Sequence, residues 1–326
     1  MKETYINQLE ANQTITIILL VKAKDVKSKK SGEPYLSLLL GDKTGEMDAK
    51  MWDNIEEIEG TFERDDFVKL KGLVQIYRNK PQLTIHKLRR CRDEEVDFSD
   101  YFPKTSKDVE AMFAELLEMT STLRNPWLKQ LLEVVFADQE FVVKFKQAPA
   151  AKSLHHAWLG GLLEHTVSLC KLCRLIAGHY PEIDAELLFT GAVLHDIGKT
   201  DELSYSRSFN YTSAGQLLGH MILELEFVGR KIAGIPDFPR ELSVLIQHLI
   251  ISHHGEYEFG SPKLPMFPEA QLLHALDNLD SKYEAMKGIL QGDRNQEGDW
   301  TGHNQMFGRP LFKGSSRNGY EPDKDA

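Results

Sequence analysis

Residues that bind metal ions are concentrated between positions 155 and 274 of the chain. Ten of its twelve histidines lie there, and five of them, with two aspartates, stand at the ends or inner faces of separate predicted helices. These seven residues are His165, His195, Asp196, His220, His253, His254 and Asp277. A single histidine on an apolar helix face is more often a core residue, but facing helices of a bundle can bring such a set together. The pattern therefore predicts a metal site inside a helical bundle.

The residue types favour particular metals. Imidazole nitrogens and carboxylate oxygens in a mixed set suit Mn²⁺, Fe, Co²⁺ or Ni²⁺ in octahedral geometry, whereas structural zinc sites prefer thiolates. Cys170 and Cys173 form a lone C-x-x-C within an apolar-periodic helix, where we expect them to pack. Three cysteines are also too few for a disulfide framework, which favours a reducing compartment.

The candidate ligands lie on segments whose apolar residues recur with helical spacing. This spacing begins at Lys107, and Pro126 suits a helix start. The predicted helices cover residues 109–122, 127–137, 184–197, 216–232, 240–252 and 269–291. The residues after Gly292 are rich in glycine, asparagine and charge, which predicts an irregular tail.

The first quarter of the chain has the short apolar runs of β-strands. Gly72, within the fourth run, marks a bend or a bulge. The predicted strands cover residues 14–21, 35–40, 46–52, 67–76 and 82–88. Five short strands so close together favour a small barrel over a parallel sheet. The stretches YLSLLLGDKTGEMDAKMW and VKLKGLVQIYRNKPQLTI resemble an OB-fold of the anticodon-binding type.

The change of period predicts a multidomain α and β protein, in which a small N-terminal OB-fold β-barrel precedes an all-α helical bundle. We place the barrel at residues 1–100, a helical bridge at 101–150, the bundle at 151–292 and the irregular tail at 293–326. The acidic stretch DEEVDFSDYFP, at the end of the barrel, has the composition of a linker.

Basic residues are concentrated in the predicted barrel, although the whole chain has a formal net charge of −10. Residues 67–92 contain eight basic and no acidic side chains, and the barrel also carries Tyr35, Trp52 and Tyr77. Lysine and arginine can follow the phosphates of a single strand while aromatic rings stack on its bases. The candidate contacts are Lys69, Lys71, Tyr77, Arg78 and Lys80. The alternative is a solvated barrel face with core aromatics.

The order of the candidate ligands, H…HD…H…HH…D, resembles that of the HD-domain metal-dependent phosphohydrolases. The match extends from His165 to Asp277 and includes the HDIGK context of His195 and Asp196. No Gly-Tyr-Pro follows the HD helix, so the mark of the cyclic-di-GMP subfamily is missing. With the predicted barrel and the stretches LHHAWLGGLLEHT and LLHALDNLDSK, nearly the whole chain is similar to the YhaM-type 3′-to-5′ exoribonucleases.

This resemblance implies hydrolysis of single-stranded RNA from its 3′ end to 5′-nucleotides, often with single-stranded DNA as a further substrate. It implies two divalent ions, with Mn²⁺ or Co²⁺ favoured and Fe, Ni²⁺ or Mg²⁺ left open. The implied ligands are His165, His195, Asp196 and Asp277 for one ion, and Asp196 as a bridge, His220 and His253 for the other. Two adjacent side chains at a helix end can point into one cavity, which would explain the pairing of His195 with Asp196.

Residues near these ligands receive further roles from the resemblance and from their spacing. Catalytic roles are expected for Asp196, for Lys199 at a phosphate oxygen, and for His254 as a ligand or a neighbour of one. Roles in lining the pocket or orienting a ligand are expected for three more residues, His156, His274 and Asp280. The alternatives are a surface lysine near a helix C-terminus for Lys199, and a packing residue for His156.

Two other functions fit parts of the pattern. One is an HD hydrolase of nucleotides, such as a dNTPase or a cyclic-nucleotide phosphodiesterase, which would have no need of a strand-binding groove. The other is a non-catalytic nucleic-acid-binding regulator with a silent HD domain, against which the intact His195-Asp196 pair argues.

The expected location is the cytoplasm. The N-terminus lacks the pattern of a signal peptide, and no uncharged apolar run approaches the length of a membrane span. We therefore expect single-stranded nucleic acid and no membrane among the partners, and leave open whether the chain forms a homo-oligomer.

Overall fold

The structure of the protein is a computed structural model that describes residues 4–29, 31–77, 80–97, 100–151, 158–204, 210–292 and 298–314. The chain forms two compact units. The first comprises Met1–Ser106 together with Leu203–Thr212, and the second comprises Lys107–Glu202 and Ser213–Ala326. A short segment from the middle of the sequence thus belongs to the first unit.

The first unit is a closed five-stranded barrel. Its strands are β1 (Thr14–Ser28), β2 (Pro34–Asp42), β3 (Gly45–Met51), β4 (Phe67–Tyr77) and β5 (Lys80–Arg90), with the short helix α1 (Ile55–Ile58) after β3. The order around the barrel is β1-β2-β3-β5-β4. All neighbouring strands are antiparallel except β3 and β5, which are parallel. The inserted segment adds a separate hairpin of β6 (Leu203–Ser204) and β7 (Asn210–Tyr211).

The alternation of apolar and polar side chains along the strands determines which residues fill the interior of the barrel. In β4, Val68 and Leu70 are buried while Lys69 between them is exposed, as the period of two requires. The bend or bulge predicted at Gly72 corresponds to a register shift between β4 and β5 at that residue. A Cβ atom at Gly72 would lie 2.5 Å from the backbone oxygen of Thr84, so the close approach of the two strands requires glycine.

The first strand is longer than its apolar run. The pattern predicts an end at Val21, but β1 continues to Ser28, so that boundary was wrong. The strand pairs with β4 as far as Leu20 and with β2 from there to its end, with an irregularity in register after Val21. Pairing with β2 extends the strand through the charged residues after Val21. A pattern of apolar residues does not predict a strand there.

The second unit is helical. Its helices are α2 (Val109–Ser121), α3 (Pro126–Phe136), α4 (Gln139–Gln147), α5 (Gly161–His179), α6 (Ala185–Leu194), α7 (Lys199–Glu202), α8 (Ser213–Leu218), α9 (His220–Ala233), α10 (Arg240–Ser252) and α11 (Pro268–Gly292). Helix α6 is buried from Leu187 to Leu194 and packs against α5, α10 and α11. None of the described helices has the length and apolar character needed to cross a membrane. A barrel followed by a helical unit confirms the predicted fold class.

One predicted helix is two helices in the structure. The apolar spacing predicts a continuous helix over residues 216–232, but α8 ends at Leu218 and α9 begins at His220. Gly219 between them has a φ of 73°, in the left-handed region that glycine adopts without steric strain. The break sets the direction of α9 and places His220 at its first position.

The described part of the tail, residues 298–314, contains no helix. Two isolated bridges join Trp300 to Phe312 and Asn304 to Arg309. This part of the tail is irregular, as its composition predicts.

Candidate metal centre

Two groups of potential metal ligands meet in the second unit. The first group is His165, His195 and Asp277, and the second is His220, His253 and His254. Within each group the ligand atoms all lie within 4.8 Å of one another. Asp196 has one carboxylate oxygen near each group. The structure therefore brings together all seven residues that the sequence marks as candidates.

Five helices carry these residues to one place. His165 lies on α5 and Asp277 on α11, while His195, His220 and His253 stand at the ends of α6, α9 and α10. The start of α6 is fixed by Asp184, whose side chain accepts hydrogen bonds from the backbone of the first turn. Because the last residue of α6 directly precedes His195, this cap and the buried face of the helix determine where the pair His195-Asp196 lies.

The Asp196 carboxylate lies between the two groups. Its Oδ2 is 3.3 Å from Nε2 of His195 and 3.9 Å from Nε2 of His165. Its Oδ1 is 3.6 Å from Nε2 of His220 and 3.7 Å from Nε2 of His253. Each oxygen of one side chain thus faces a different group, an arrangement in which a carboxylate can bridge two cations.

Several atoms of the cluster are buried without a hydrogen-bond partner. Oδ1 of Asp196, Nε2 of His220 and Nε2 of His253 find none among the described residues. A buried polar atom left unsatisfied costs about 1–3 kcal/mol. In the first group, Nε2 of His165 lies 3.1 Å from Oδ1 of Asp277 and 3.2 Å from Nε2 of His195. A divalent cation would satisfy these atoms together, so the residues present fit a metal ion.

The second nitrogen of each histidine is held by an oxygen. The partners of Nδ1 are Asp280 for His165 (2.8 Å), the Ala192 carbonyl for His195 (3.0 Å), Glu202 for His220 (3.2 Å), the Ile250 carbonyl for His253 (2.6 Å) and the Phe259 carbonyl for His254 (2.8 Å). Carbonyl and carboxylate oxygens accept hydrogen bonds, so Nδ1–H donates in each ring. Nε2 then keeps its lone pair for a metal ion, and the ring orientation is fixed.

Two histidines of the second group, His253 and His254, favour the neutral form. Burial lowers the pKa of His253 well below its usual range and also lowers the pKa of His254. The neutral imidazole is the form that binds metal ions.

The first group attracts positive charge. Burial alone would lower the pKa of His165, but its hydrogen bonds with Asp277 and Asp280 raise that pKa to about 10. Burial alone would also raise the pKa of Asp277, but the hydrogen bond with His165 lowers it well below its usual range. The carboxylates that favour a proton on His165 would equally stabilise a metal cation in its place.

Lys199 contributes a positive charge at the edge of the cluster. It is the first residue of α7, and its Nζ lies 2.6 Å from Oδ2 of Asp196. Burial would raise the pKa of the Asp196 carboxyl, but the charges of Lys199 and of the neighbouring histidines lower it well below its usual range. Asp196 is therefore ionised, as a metal ligand must be.

Three further residues were predicted to line the pocket or to orient a ligand: Asp280, His274 and His156. Asp280 contacts the ring of His165, whereas His274 donates from Nδ1 to the backbone oxygen of His253 at 2.9 Å. A Cβ atom at Gly255 would lie 2.2 Å from the His274 ring, so the turn after the histidine pair packs tightly on α11. His156 lies outside the described residues.

Sequence reasoning missed two carboxylates. Oε1 of Glu202 accepts from both the backbone nitrogen and Nδ1 of His220, at 3.0 and 3.2 Å. Glu224 is fully buried, burial raises its pKa well above the usual range, and neither oxygen has a hydrogen-bond partner among the described residues. The position of Glu224, four residues after His220 on one helix face, is the signal that could have identified it.

The barrel contains a separate cleft of about 300 Å³, whose lining includes two lysines, two tyrosines and the acidic Asp48. Tyr35 and Trp52 stack with ring centroids 4.7 Å apart. Nζ of Lys50 lies 5.7, 5.5 and 5.4 Å from the ring centroids of Tyr35, Trp52 and Tyr77. Lys27 also lines the cleft. Lys50 was not predicted, although its place between buried neighbours on β3 indicates an outward side chain.

The basic residues predicted on the barrel do not all lie at this cleft. Lys69 and Lys71 are exposed on β4 opposite Arg89 and Lys87 of β5, and they are not among the residues that line the cleft. Arg78 and the side chain of Lys80 lie outside the described residues. Tyr77 lines the cleft and is half exposed.

Comparison with known families identifies both units. Residues 162–282 match the family model described as the HD domain. The chain carries an HD domain. Residues 20–90 match the model described as an OB-fold nucleic acid binding domain. The HD domain indicates a metal-dependent phosphohydrolase, and the two domains together indicate one that acts on nucleic acid.

Three solved structures are similar to part of the chain. The second OB-fold domain of replication protein A from Methanococcus maripaludis is 23% identical, with 28% of this chain and 95% of that chain covered and a TM-score of 0.23. An OB domain from Methanosarcina mazei is 20% identical, with coverages of 28% and 87% and a TM-score of 0.24. The SSB domain of a Synechococcus sp. protein is 15% identical, with coverages of 25% and 96% and a TM-score of 0.21.

Proposed function

We propose that the protein is a metal-dependent 3′-to-5′ exoribonuclease that shortens single-stranded RNA to 5′-nucleotides and also accepts single-stranded DNA. The observation that carries the proposal is the Asp196 carboxylate, whose two oxygens face two different groups of metal ligands. Hydrolases that cleave phosphodiesters commonly use such a pair of ions. The OB-fold nucleic acid binding domain on the same chain favours a polynucleotide substrate.

The proposed ligands follow the two groups. The first ion is assigned to His165, His195, Asp277 and Oδ2 of Asp196, and the second to His220, His253, His254 and Oδ1 of Asp196. When bound, Mn²⁺ or Co²⁺ supplies Lewis-acid stabilisation of the phosphate and activates water for attack. The mixed nitrogen and oxygen ligands are consistent with these metals.

The protein's own groups orient this chemistry. Asp280 and Glu202 hold the rings of His165 and His220, so the ligand nitrogens are directed before substrate arrives. The ammonium of Lys199, at the edge of the cluster, is placed to stabilise negative charge that develops on the phosphate oxygens during hydrolysis.

The barrel is proposed to hold the strand. Bases stack on the rings of Tyr35 and Tyr77, with Trp52 packed against Tyr35, while Lys27 and Lys50 contact phosphates in the same cleft. Contacts from four further basic residues of the barrel belong to the same proposal: Lys69, Lys71, Arg78 and Lys80. A hydrolase of free nucleotides would have no need of a strand-binding groove on a separate barrel.

A time course on 5′-labelled single-stranded RNA with Mn²⁺ tests the activity. The wild-type chain should give a ladder that shortens from the 3′ end, and Asp196→Ala should give none, because both groups lose their shared carboxylate. Failure to shorten the strand with Mn²⁺, Co²⁺, Ni²⁺ or Mg²⁺ would rule out the proposal. Hydrolysis of a dNTP or a cyclic nucleotide without shortening of RNA would assign the protein to the nucleotide hydrolases instead.

A further inference from the structure

Two exposed apolar segments adjoin the second group of ligands. Leu217 and Leu218 end α8 and are 83% and 48% exposed, and Tyr257 and Phe259 follow the histidine pair and are 65% and 59% exposed. We call these four residues the apolar rim. An exposed apolar patch beside a polar cluster can mark a surface that binds a ligand.

Both segments are directly connected to the ligand candidates. The backbone oxygen of Phe259 accepts from Nδ1 of His254 at 2.8 Å. Leu218 precedes His220 by two residues, and the rings of His220 and His254 have centroids 5.1 Å apart. The apolar rim therefore borders the ligand group itself rather than a distant part of the helical unit.

The aromatic segment of the rim is held in place. Its start is fixed by Gly255, whose φ of 76° and tight contact with His274 admit no larger residue. Its end is fixed by the buried Ser261, whose hydroxyl oxygen lies 2.6 Å from the backbone oxygen of Lys263 and 3.0 Å from that of Ile251, with one proton to donate between them. Exposed rings on a segment fixed at both ends are prepared for contact before a ligand binds, so little conformational freedom is lost on binding.

The charges of this segment indicate which part of a nucleotide it contacts. Glu256 and Glu258 alternate with the two aromatic residues and are exposed, and no basic residue lies between His254 and Lys263. Carboxylates repel phosphates, so a strand that lies here presents its bases to the rings and its phosphates elsewhere. The faces of the bases are uncharged and stack on aromatic rings.

We infer that Tyr257 and Phe259 stack on the bases at the 3′ end of the single strand and so place the terminal phosphodiester at the metal centre. This inference rests on the proposed function and adds its substrate contact. Leu217 and Leu218 complete the apolar border of the same contact. A strand whose terminal nucleotides lack bases would lose this contact although its phosphodiester is unchanged.

The test compares two RNA strands that differ only in the last two nucleotides, which carry bases in one strand and are abasic in the other. Tyr257→Ala and Phe259→Ala should each lower kcat/KM for the complete strand by about tenfold, the order of one lost stacking contact. For the abasic strand the same variants should differ little from wild type. Tyr257→Trp should restore the preference for bases, because tryptophan also stacks.

Tyr180→Ala is the matched control. Tyr180 is an exposed aromatic residue that follows the last residue of α5, fifteen residues after His165 on the sequence and roughly 22 Å along the helix. This variant should keep the wild-type kcat/KM for both strands. An equal loss on both strands in the rim variants would overturn the inference, since it would indicate damage to His254 rather than loss of stacking.

A crosslinking experiment tests the contact without hydrolysis. A strand with 5-iodouridine as its 3′-terminal nucleotide is irradiated with the full-length Asp196→Asn variant and Mn²⁺, and the crosslinked peptide is sequenced. A crosslink at Tyr257 or Phe259 supports the inference, and crosslinks confined to the barrel overturn it. This outcome is distinct from failure of the proposed function, in which the wild-type chain shortens no strand.

Light scattering distinguishes strand binding from self-association. The variants Tyr257→Ala and Phe259→Ala should have the same mass as the wild-type protein. A smaller assembly in either variant would overturn the inference and assign the apolar rim to a contact between copies of the chain.

Discussion

Asp280 illustrates how a residue outside the ligand set can control it. Its Oδ2 accepts from Nδ1 of His165 at 2.8 Å and its Oδ1 accepts from Ser168 at 2.5 Å. Asp280→Ala would free the His165 ring to turn, and we expect the affinity for Mn²⁺ to fall by about ten- to hundredfold. Isothermal titration of the full chain measures this change. Ser168→Ala removes only the hydroxyl that steadies Asp280 and should cost less, whereas an unchanged affinity in Asp280→Ala would exclude the positioning role.

At the scale of residues, the sequence reveals candidate ligands that occur inside an apolar helical run or directly after one. His165 could be found because a histidine within an apolar helical run is uncommon, and His195 and Asp196 because an apolar run leads directly into this adjacent pair. Glu202 could not be found, because a glutamate in the charged stretch KTDE resembles any surface residue. Its contact with His220 depends on how α7 and α9 approach each other in space, which no local pattern states.

At the scale of helices, Gly198 controls the approach of α9 to the HDIGK turn. A Cβ atom at this position would lie 2.2 Å from the backbone oxygen of His220 and 3.0 Å from Cβ of Glu224. Because a backbone oxygen cannot move aside cheaply, we expect Gly198→Ala to lower the free energy of unfolding by about 1–3 kcal/mol. Urea denaturation followed by circular dichroism measures the difference.

The matched control for that prediction is a glycine of α9, the helix that Gly198 approaches. Gly229 has no atom within 4 Å of the position of an added Cβ, and it lies inside α9. Gly229→Ala should therefore raise the free energy of unfolding by up to about 1 kcal/mol, because alanine favours the helix. If Gly198→Ala were as stable as Gly229→Ala, this would contradict the explanation that close packing at the HDIGK turn requires glycine.

The helices and strands were largely predictable from the sequence, and the errors in their predicted bounds have physical causes. The spacing of apolar residues gives α10 its observed bounds, because one face of this helix is buried. It misses the break between α8 and α9, because the helical spacing of apolar residues continues across Gly219 although the backbone φ of this residue is not helical. It also misses the second half of β1, where hydrogen bonds to β2 replace burial as the cause of the strand.

At the scale of the whole molecule, an acidic chain is proposed to bind a polyanion through the basic residues of its barrel. The affinity for single-stranded RNA should therefore fall steeply as salt increases. Lys50→Gln removes the charge that lies over Tyr35, Trp52 and Tyr77, and we expect weaker binding and a salt slope reduced by about 0.7. Fluorescence anisotropy at several salt concentrations measures both quantities.

The control for the cleft is a lysine of the helical unit. Lys129 donates to the backbone oxygen of Ser121, and Lys129→Gln should leave the affinity and its salt slope unchanged. A salt response that is flat in the wild-type chain, or equal in Lys50→Gln and wild type, would remove the cleft of the barrel from strand binding.

One carboxylate, that of Asp196, is proposed to be shared by two metal ions. Crystals of the full chain grown with Mn²⁺ and measured at the manganese absorption edge test it most directly. The anomalous difference map should show two peaks, one among His165, His195 and Asp277 and one among His220, His253 and His254. Asp196 should contact both. A single peak, or two peaks of which Asp196 contacts only one, would contradict the claim.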